Sequence, residues 1–75
     1  MTDFFALNQA IRNSGMTMAS IAKKSGISRP TLYNRLRGIG EFSAPEIEGL
    51  CKALRLSKSD RERIFFAKNV AKTAR

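Results

Sequence analysis

Between Thr17 and Gly38 the chain carries two short helical patterns that share one glycine, and this pairing constrains the fold more than any other feature. Thr17 can cap a first segment in which Met18, Ile21 and Ala22 face inward. Gly26 follows Ala22 by four residues and permits a left-handed backbone at no Cβ cost, so the chain can turn. Ile27 then plugs the corner, and Ser28 can cap a second segment. Pro30 is tolerated in its first turn, Leu32 and Leu36 anchor it one turn apart, and Gly38 closes it. Ala22 is small where two helices must approach closely. Each residue alone is commonplace. The ordered set Ile21, Ala22, Gly26, Ile27, Ser28 and Leu32 predicts two helices joined by a tight turn.

The flanking segments supply the rest of a small all-α core. Phe4, Leu7 and Ile11 recur at helical spacing after a cap expected at Thr2, and Gly15 ends that pattern. Residues 38–43, "GIGEFS", read as a loop. Ser43 with Glu46 forms a capping box, and Pro45 sits just inside the start. Behind it Ile47, Leu50, Cys51 and Leu54 mark one face of a fourth helix. Ser57 with Asp60 starts a fifth that leads to Ile64, Phe65 and Phe66. Whether "IFFAKNV" continues this helix or becomes an extended arm is left open by the sequence. Four to five helices in one compact domain over residues 1–75 is the expected architecture, with a core of roughly a dozen and a half apolar side chains.

Composition narrows the chemistry. The 75 residues hold 14 Lys and Arg against 6 Asp and Glu, a net charge of +8, which favours a polyanionic partner and nucleic acid first. Residues 1–37 carry six Lys and Arg against Asp3 alone, so this half is the more basic. Histidine is absent, which removes the commonest general base and metal ligand. Glu46 and Glu48 diverge on a helix, and Cys51 reads as core with no histidine to activate it. No enzyme, cofactor or metal site is expected. The single cysteine, with no signal-peptide pattern, points to a reducing cytoplasmic setting. No run approaches the roughly 20 apolar residues of a membrane span, and no membrane partner is expected.

With Leu32 and Leu36 facing inward, Pro30, Tyr33, Asn34 and Arg37 turn outward, with Arg29 at the edge. Such a face in a major groove offers arginine to guanine, asparagine to adenine, and tyrosine to a phosphate or a thymine methyl. Ser28 at one helix N-terminus and Thr17 at the preceding one can meet phosphates. The candidate DNA-binding set is therefore Thr17, Ser28, Arg29, Pro30, Tyr33, Asn34 and Arg37. Lys23, Lys24, Arg12 and the cluster Arg61, Arg63, Lys68 and Lys72 read as solvated surface. Phe4–Phe5 and Phe65–Phe66 are adjacent pairs that one helix face cannot bury whole, which leaves an apolar remainder for a dimer or partner surface.

The stretch "IAKKSGISRPTLYNRLRG" resembles the helix-turn-helix of the Cro/cI-type phage repressors, and the resemblance extends to about residue 57. Together with "GEFSAPEI" and "IFFAKNVAKT" the chain is similar to small Cro-like or modulator-of-repression proteins of temperate phages. The resemblance implies a compact all-helical domain that binds double-stranded operator DNA in a lysis–lysogeny switch within a bacterial host, usually as a dimer. It equally admits an antirepressor, a heteromeric partner of the phage's own repressor protein. Two positions depart from the family pattern. Ser25 stands where a leucine or methionine is usual, and Arg35 where many members carry an apolar anchor, a role that passes to Leu36.

Overall fold

The computed structural model describes residues 1–68. Five helices follow in order: α1 (Phe4–Ser14), α2 (Met18–Ser25), α3 (Arg29–Leu36), α4 (Ala44–Leu54) and α5 (Lys58–Phe65). No strand occurs among the described residues, so the expected all-α bundle resolves to five helices.

Every helix starts on a side-chain cap in extended backbone, and four of the five caps are the ones the sequence indicates. Thr17, Ser28, Ser43 and Ser57 accept the backbone N–H three residues on, and the boxes Ser43–Glu46 and Ser57–Asp60 are both closed. The exception is α1, capped by Asp3 instead of Thr2: Asp3 Oδ1 accepts the Ala6 N–H at 3.0 Å. A carboxylate suits the positive end of the helix better than a hydroxyl. The Asp3 N–H also donates to the Ile64 carbonyl at 2.7 Å, which ties that residue to α5.

The turn between α2 and α3 follows its glycine. Gly26 takes φ 77° and ψ 13°, and its N–H and that of Ile27 both donate to the Ala22 carbonyl, at 3.0 and 3.2 Å. Ile27 is buried in the corner, and Ser28 returns to extended backbone to begin α3. At the far end of α3 the Gly38 N–H donates to Arg35 and the Ile39 N–H to Asn34, the paired bonds of a Schellman motif.

Leu7, Ile21, Leu32, Leu50 and Ile64 are completely buried, one from each helix, and they form a hub on which all five converge. Fully burying such a side chain stabilises by roughly 1.5–3 kcal/mol, so no helix is spectator to the fold. Met18, Leu36 and Cys51 pack half-buried around this centre. Burial pushes the Cys51 thiol up in pKa, consistent with a core role. Phe42 and Phe65 close the α5 side edge to face, ring centres 5.5 Å apart.

The principal helix contact is α2 against α4, and Gly49 is what makes it close. A Cβ at that position would collide with the backbone carbonyl of Ser25. A glycine inside a helix costs about 0.5–1 kcal/mol relative to alanine, and here the close crossing is the return. Ser25 fits the same constraint. Its hydroxyl donates to the Ala22 carbonyl and accepts from the Ile27 N–H, so it stitches the turn.

Leu36 takes the anchoring role expected of it, and Arg35 becomes a clamp. Its Nε lies 3.3 Å from Glu46 Oε1 and its Nη1 donates to the Ile39 carbonyl at 3.2 Å. The same Glu46 oxygen accepts the Ser43 N–H, so one carboxylate starts α4 and holds α3 to it. At the other end α5 stops after Phe65. Phe66 leaves the helix, and the Ala67 N–H donates to the Met1 carbonyl at 3.0 Å. The start of "IFFAKNV" therefore runs back along the N-terminus, while Asn69, Val70 and Lys72 lie outside the described residues.

Candidate nucleic-acid interface

Six of the seven candidate residues lie along α3 and its cap. Ser28, Arg29, Pro30, Tyr33 and Arg37 are exposed and Asn34 is half-buried. An eight-residue helix is about 12 Å long, a length that fits within the major groove. Ser28 Oγ accepts the Thr31 N–H at 3.3 Å and donates to Thr31 Oγ1 at 2.9 Å. Pro30 occupies the first turn, where its missing N–H is no loss. Tyr33 is 48% exposed, an aromatic ring on a helix otherwise anchored by leucines. Arg37 caps the C-terminus, and its guanidinium donates to Asn34 Oδ1 at 3.1 Å.

Thr17 stands apart from the other six. It caps the end of α2 remote from the turn, exposed, with its hydroxyl oxygen accepting the Ser20 N–H at 3.1 Å. Lys23 and Lys24 in the last turn of α2 are exposed, as expected of surface lysines.

The electrostatics of this half are one-sided. Residues 4–40 contain no aspartate or glutamate. Neither α2 nor α3 has an acidic residue in its first turn, whereas α4 and α5 have Glu46 and Asp60 there. The N-terminal partial charges of α2 and α3 are thus open to an external anion. The residue that sequence reasoning missed is Thr31. It occupies the third helical position of α3, where the caps of α4 and α5 recruit acids, and holds the Ser28 hydroxyl with a neutral group. The signal was present in the spacing Ser28–Thr31, set beside Ser43–Glu46 and Ser57–Asp60.

A second surface is apolar. Met1, Phe4, Phe42, Ile47, Phe65 and Phe66 line most of a groove of about 520 Å³ between the N-terminus, the α3–α4 loop and α5. Phe66 is 44% exposed there, with the Arg61 guanidinium 5.4 Å from its ring centre. Of the first aromatic pair, Phe4 turns into this groove and Phe5 is 76% exposed on the outer side of α1. Among the described residues no cluster of three or more His, Cys, Asp or Glu could hold a metal ion, and no helix is long and apolar enough to cross a membrane.

A helix-turn-helix family model of the Cro/cI type matches residues 7–60, from α1 into the first turn of α5. The chain belongs to this family. Its members are DNA-binding transcription regulators built on a binding domain and not a catalytic one, and double-stranded DNA is their partner. Comparisons with curated proteins and with solved structures give no match. In family terms α2 and α3 are the motif's two helices.

Proposed function

We propose that this chain is a sequence-specific operator-binding regulator in the lysis–lysogeny switch of a temperate phage, acting in the cytoplasm of the bacterial host as a single helix-turn-helix domain. The observation that carries this reading is the outward face of α3. Arg29, Tyr33, Asn34 and Arg37 stand on it beside Pro30, with no carboxylate among them. Arg29 and Arg37 read guanine edges, Asn34 a purine, and Tyr33 a phosphate or thymine methyl. Ser28 and Thr17, at two uncompensated helix N-termini, hold phosphates and set the register. A second copy seated on the apolar groove makes the homodimer that a palindromic operator requires. Selection of bound duplexes from a random pool, followed by salt titration of the winners, tests the reading. An enriched palindrome whose affinity falls steeply with salt is expected; a pool with no enriched sequence overturns it.

A second reading is favoured by the groove itself. In an antirepressor Phe66, Met1 and Phe42 would receive the phage's own repressor, and the product would be a heteromer. Co-purification with that repressor through a high-salt wash supports this, since apolar contacts survive salt that dissolves phosphate contacts. A repressor that elutes alone removes it.

A further inference from the structure

The two ends of α3 are held differently. At its start the Gly26 and Ile27 N–H bonds to the Ala22 carbonyl, the buried Ile27 and the Ser28 cap fasten the helix to α2. Leu32, the buried side chain of α3, stands near its midpoint, and beyond it only the half-buried Leu36 packs on the core. The far end is steadied by the Arg35 guanidinium. Its Nε donates to Glu46 Oε1 at 3.3 Å and its Nη1 to the Ile39 carbonyl at 3.2 Å, so one planar fork joins α3, the loop after it and the start of α4. The pair is sheltered, with side chains 25% and 20% exposed. Gly40 completes the seat. A Cβ at that position would collide with Arg35 Nη1.

Arg35 stands two residues from both Tyr33 and Arg37, so at about 100° per residue it points to nearly the opposite side of the helix from them. It is no part of the outward face. Phosphate contacts carry no sequence information, whereas contacts to base edges need side chains held to within roughly 0.5 Å by a supporting shell. We infer that Arg35 is a positioning residue: held by Glu46 and the Ile39 carbonyl, its guanidinium fixes the angle at which Tyr33, Asn34 and Arg37 meet a duplex that it does not itself touch. The inference rests on the reading of α3 as a duplex reader. It goes beyond that reading by assigning part of the discrimination to a side chain on the far side of the helix.

Two glycines of one loop give a matched test. Gly38 and Gly40 both take a left-handed backbone, φ 84° and 75°, so alanine strains either in the same way. A Cβ at Gly38 meets nothing, whereas one at Gly40 displaces the Arg35 guanidinium, and neither change alters the charge. Duplexes are selected with the purified full chain. Each variant, checked for native helicity by circular dichroism, is then titrated against the winning duplex and a shuffled one well below its melting temperature. Gly40→Ala should lower the ratio of winning to shuffled affinity by about tenfold, the worth of roughly one base pair read, with the shuffled affinity unchanged. Gly38→Ala should keep the wild-type ratio. Arg35→Met keeps the apolar stem and loses both bonds, so it should reproduce the fall in ratio, and it decides the matter where Gly40→Ala does not fold. A wild-type ratio in Arg35→Met, or equal ratios in the two glycine variants, overturns the inference and leaves the duplex-reading proposal intact. A wild-type pool with no enriched sequence removes the proposal beneath it as well.

Discussion

The helix starts of the molecule fall into two kinds. Those of α1, α4 and α5 each carry a carboxylate, at Asp3, Glu46 and Asp60, and in the last two the acid closes a box with the capping serine. Those of α2 and α3 carry only the hydroxyls of Thr17 and Ser28, backed by the neutral Ser20 and Thr31. All five solve the same local problem, the unpaired N–H groups of a first turn. Only two do so without adding negative charge. The neutral starts belong to the helix-turn-helix, and the acidic ones belong to the frame around it. Stability alone would have favoured acids everywhere, because a carboxylate near a helix N-terminus contributes about 0.3–1 kcal/mol. Their absence at α2 and α3 leaves those two ends without negative charge, which the proposed contact with phosphates requires.

The largest effect is expected at the basic side chains of α3. Arg29→Glu with Arg37→Glu should lower duplex affinity by at least about a hundredfold while leaving the melting temperature near wild type, since both residues are exposed. Fluorescence anisotropy and thermal melts measure the two sides, and unchanged affinity would refute the assignment of this face. A sharper probe places an acid at each kind of start. Ser28→Asp and Ser57→Asp both preserve a capping oxygen, so both should fold normally. Ser28→Asp should cost about tenfold in affinity through repulsion of a phosphate, and Ser57→Asp should cost almost nothing. Equal effects would erase the difference between the two kinds of helix start.

The frame has its own signature in acid. The Ser43 N–H bond, and after it Arg35, hold the Glu46 carboxyl below its ordinary value of 4.5, although partial burial opposes them. A carboxylate depressed in the folded state stabilises fully above its unfolded pKa and loses that contribution as pH falls through the folded one. Stability should therefore decline as pH drops below 4.5. Glu46→Gln, which can still close the box, should flatten this decline and cost about 0.5–1 kcal/mol at neutral pH through loss of the Arg35 pair. Urea unfolding at neutral and acid pH reads both. The smallest effect lies at Arg55, which ends α4 with φ 55° and ψ 47°, a left-handed conformation that a side chain opposes. Arg55→Gly should raise stability by about 0.5–1 kcal/mol, seen as a shift of a few degrees in melting.

Much of this was legible in the sequence because it is written in short-range rules. Caps at Thr17, Ser28, Ser43 and Ser57, the turn at Gly26 and the inward face of α4 all follow from spacings of three or four residues. What escaped was set by distant parts of the chain. The choice of Asp3 over Thr2 depends on the Asp3 N–H meeting Ile64, a pairing across the whole fold. Gly49 reads as a flaw in a good helix until the Ser25 carbonyl is placed against it. Arg35 departs from an apolar family position, and its reason, Glu46, lies eleven residues away. On the candidate site, the outward residues of α3 follow from periodicity alone. The bond that ties Arg37 to Asn34 does not, because side-chain torsions select it and not register.

The hub of Leu7, Ile21, Leu32, Leu50 and Ile64 carries a consequence for α3 beyond packing. An isolated helix of eight residues is mostly coil in water, since nucleation costs more than so few hydrogen bonds return. The outward face of α3 therefore exists only while Leu32 is seated among its four counterparts. Warming does not loosen that face by degrees. It is whole until the hub opens and gone once it has, so a duplex bound there would be released over the narrow span of a cooperative melt. None of its side chains senses heat, yet the surface they form has a thermal off-switch, and its setting is the stability of five apolar residues that touch nothing outside.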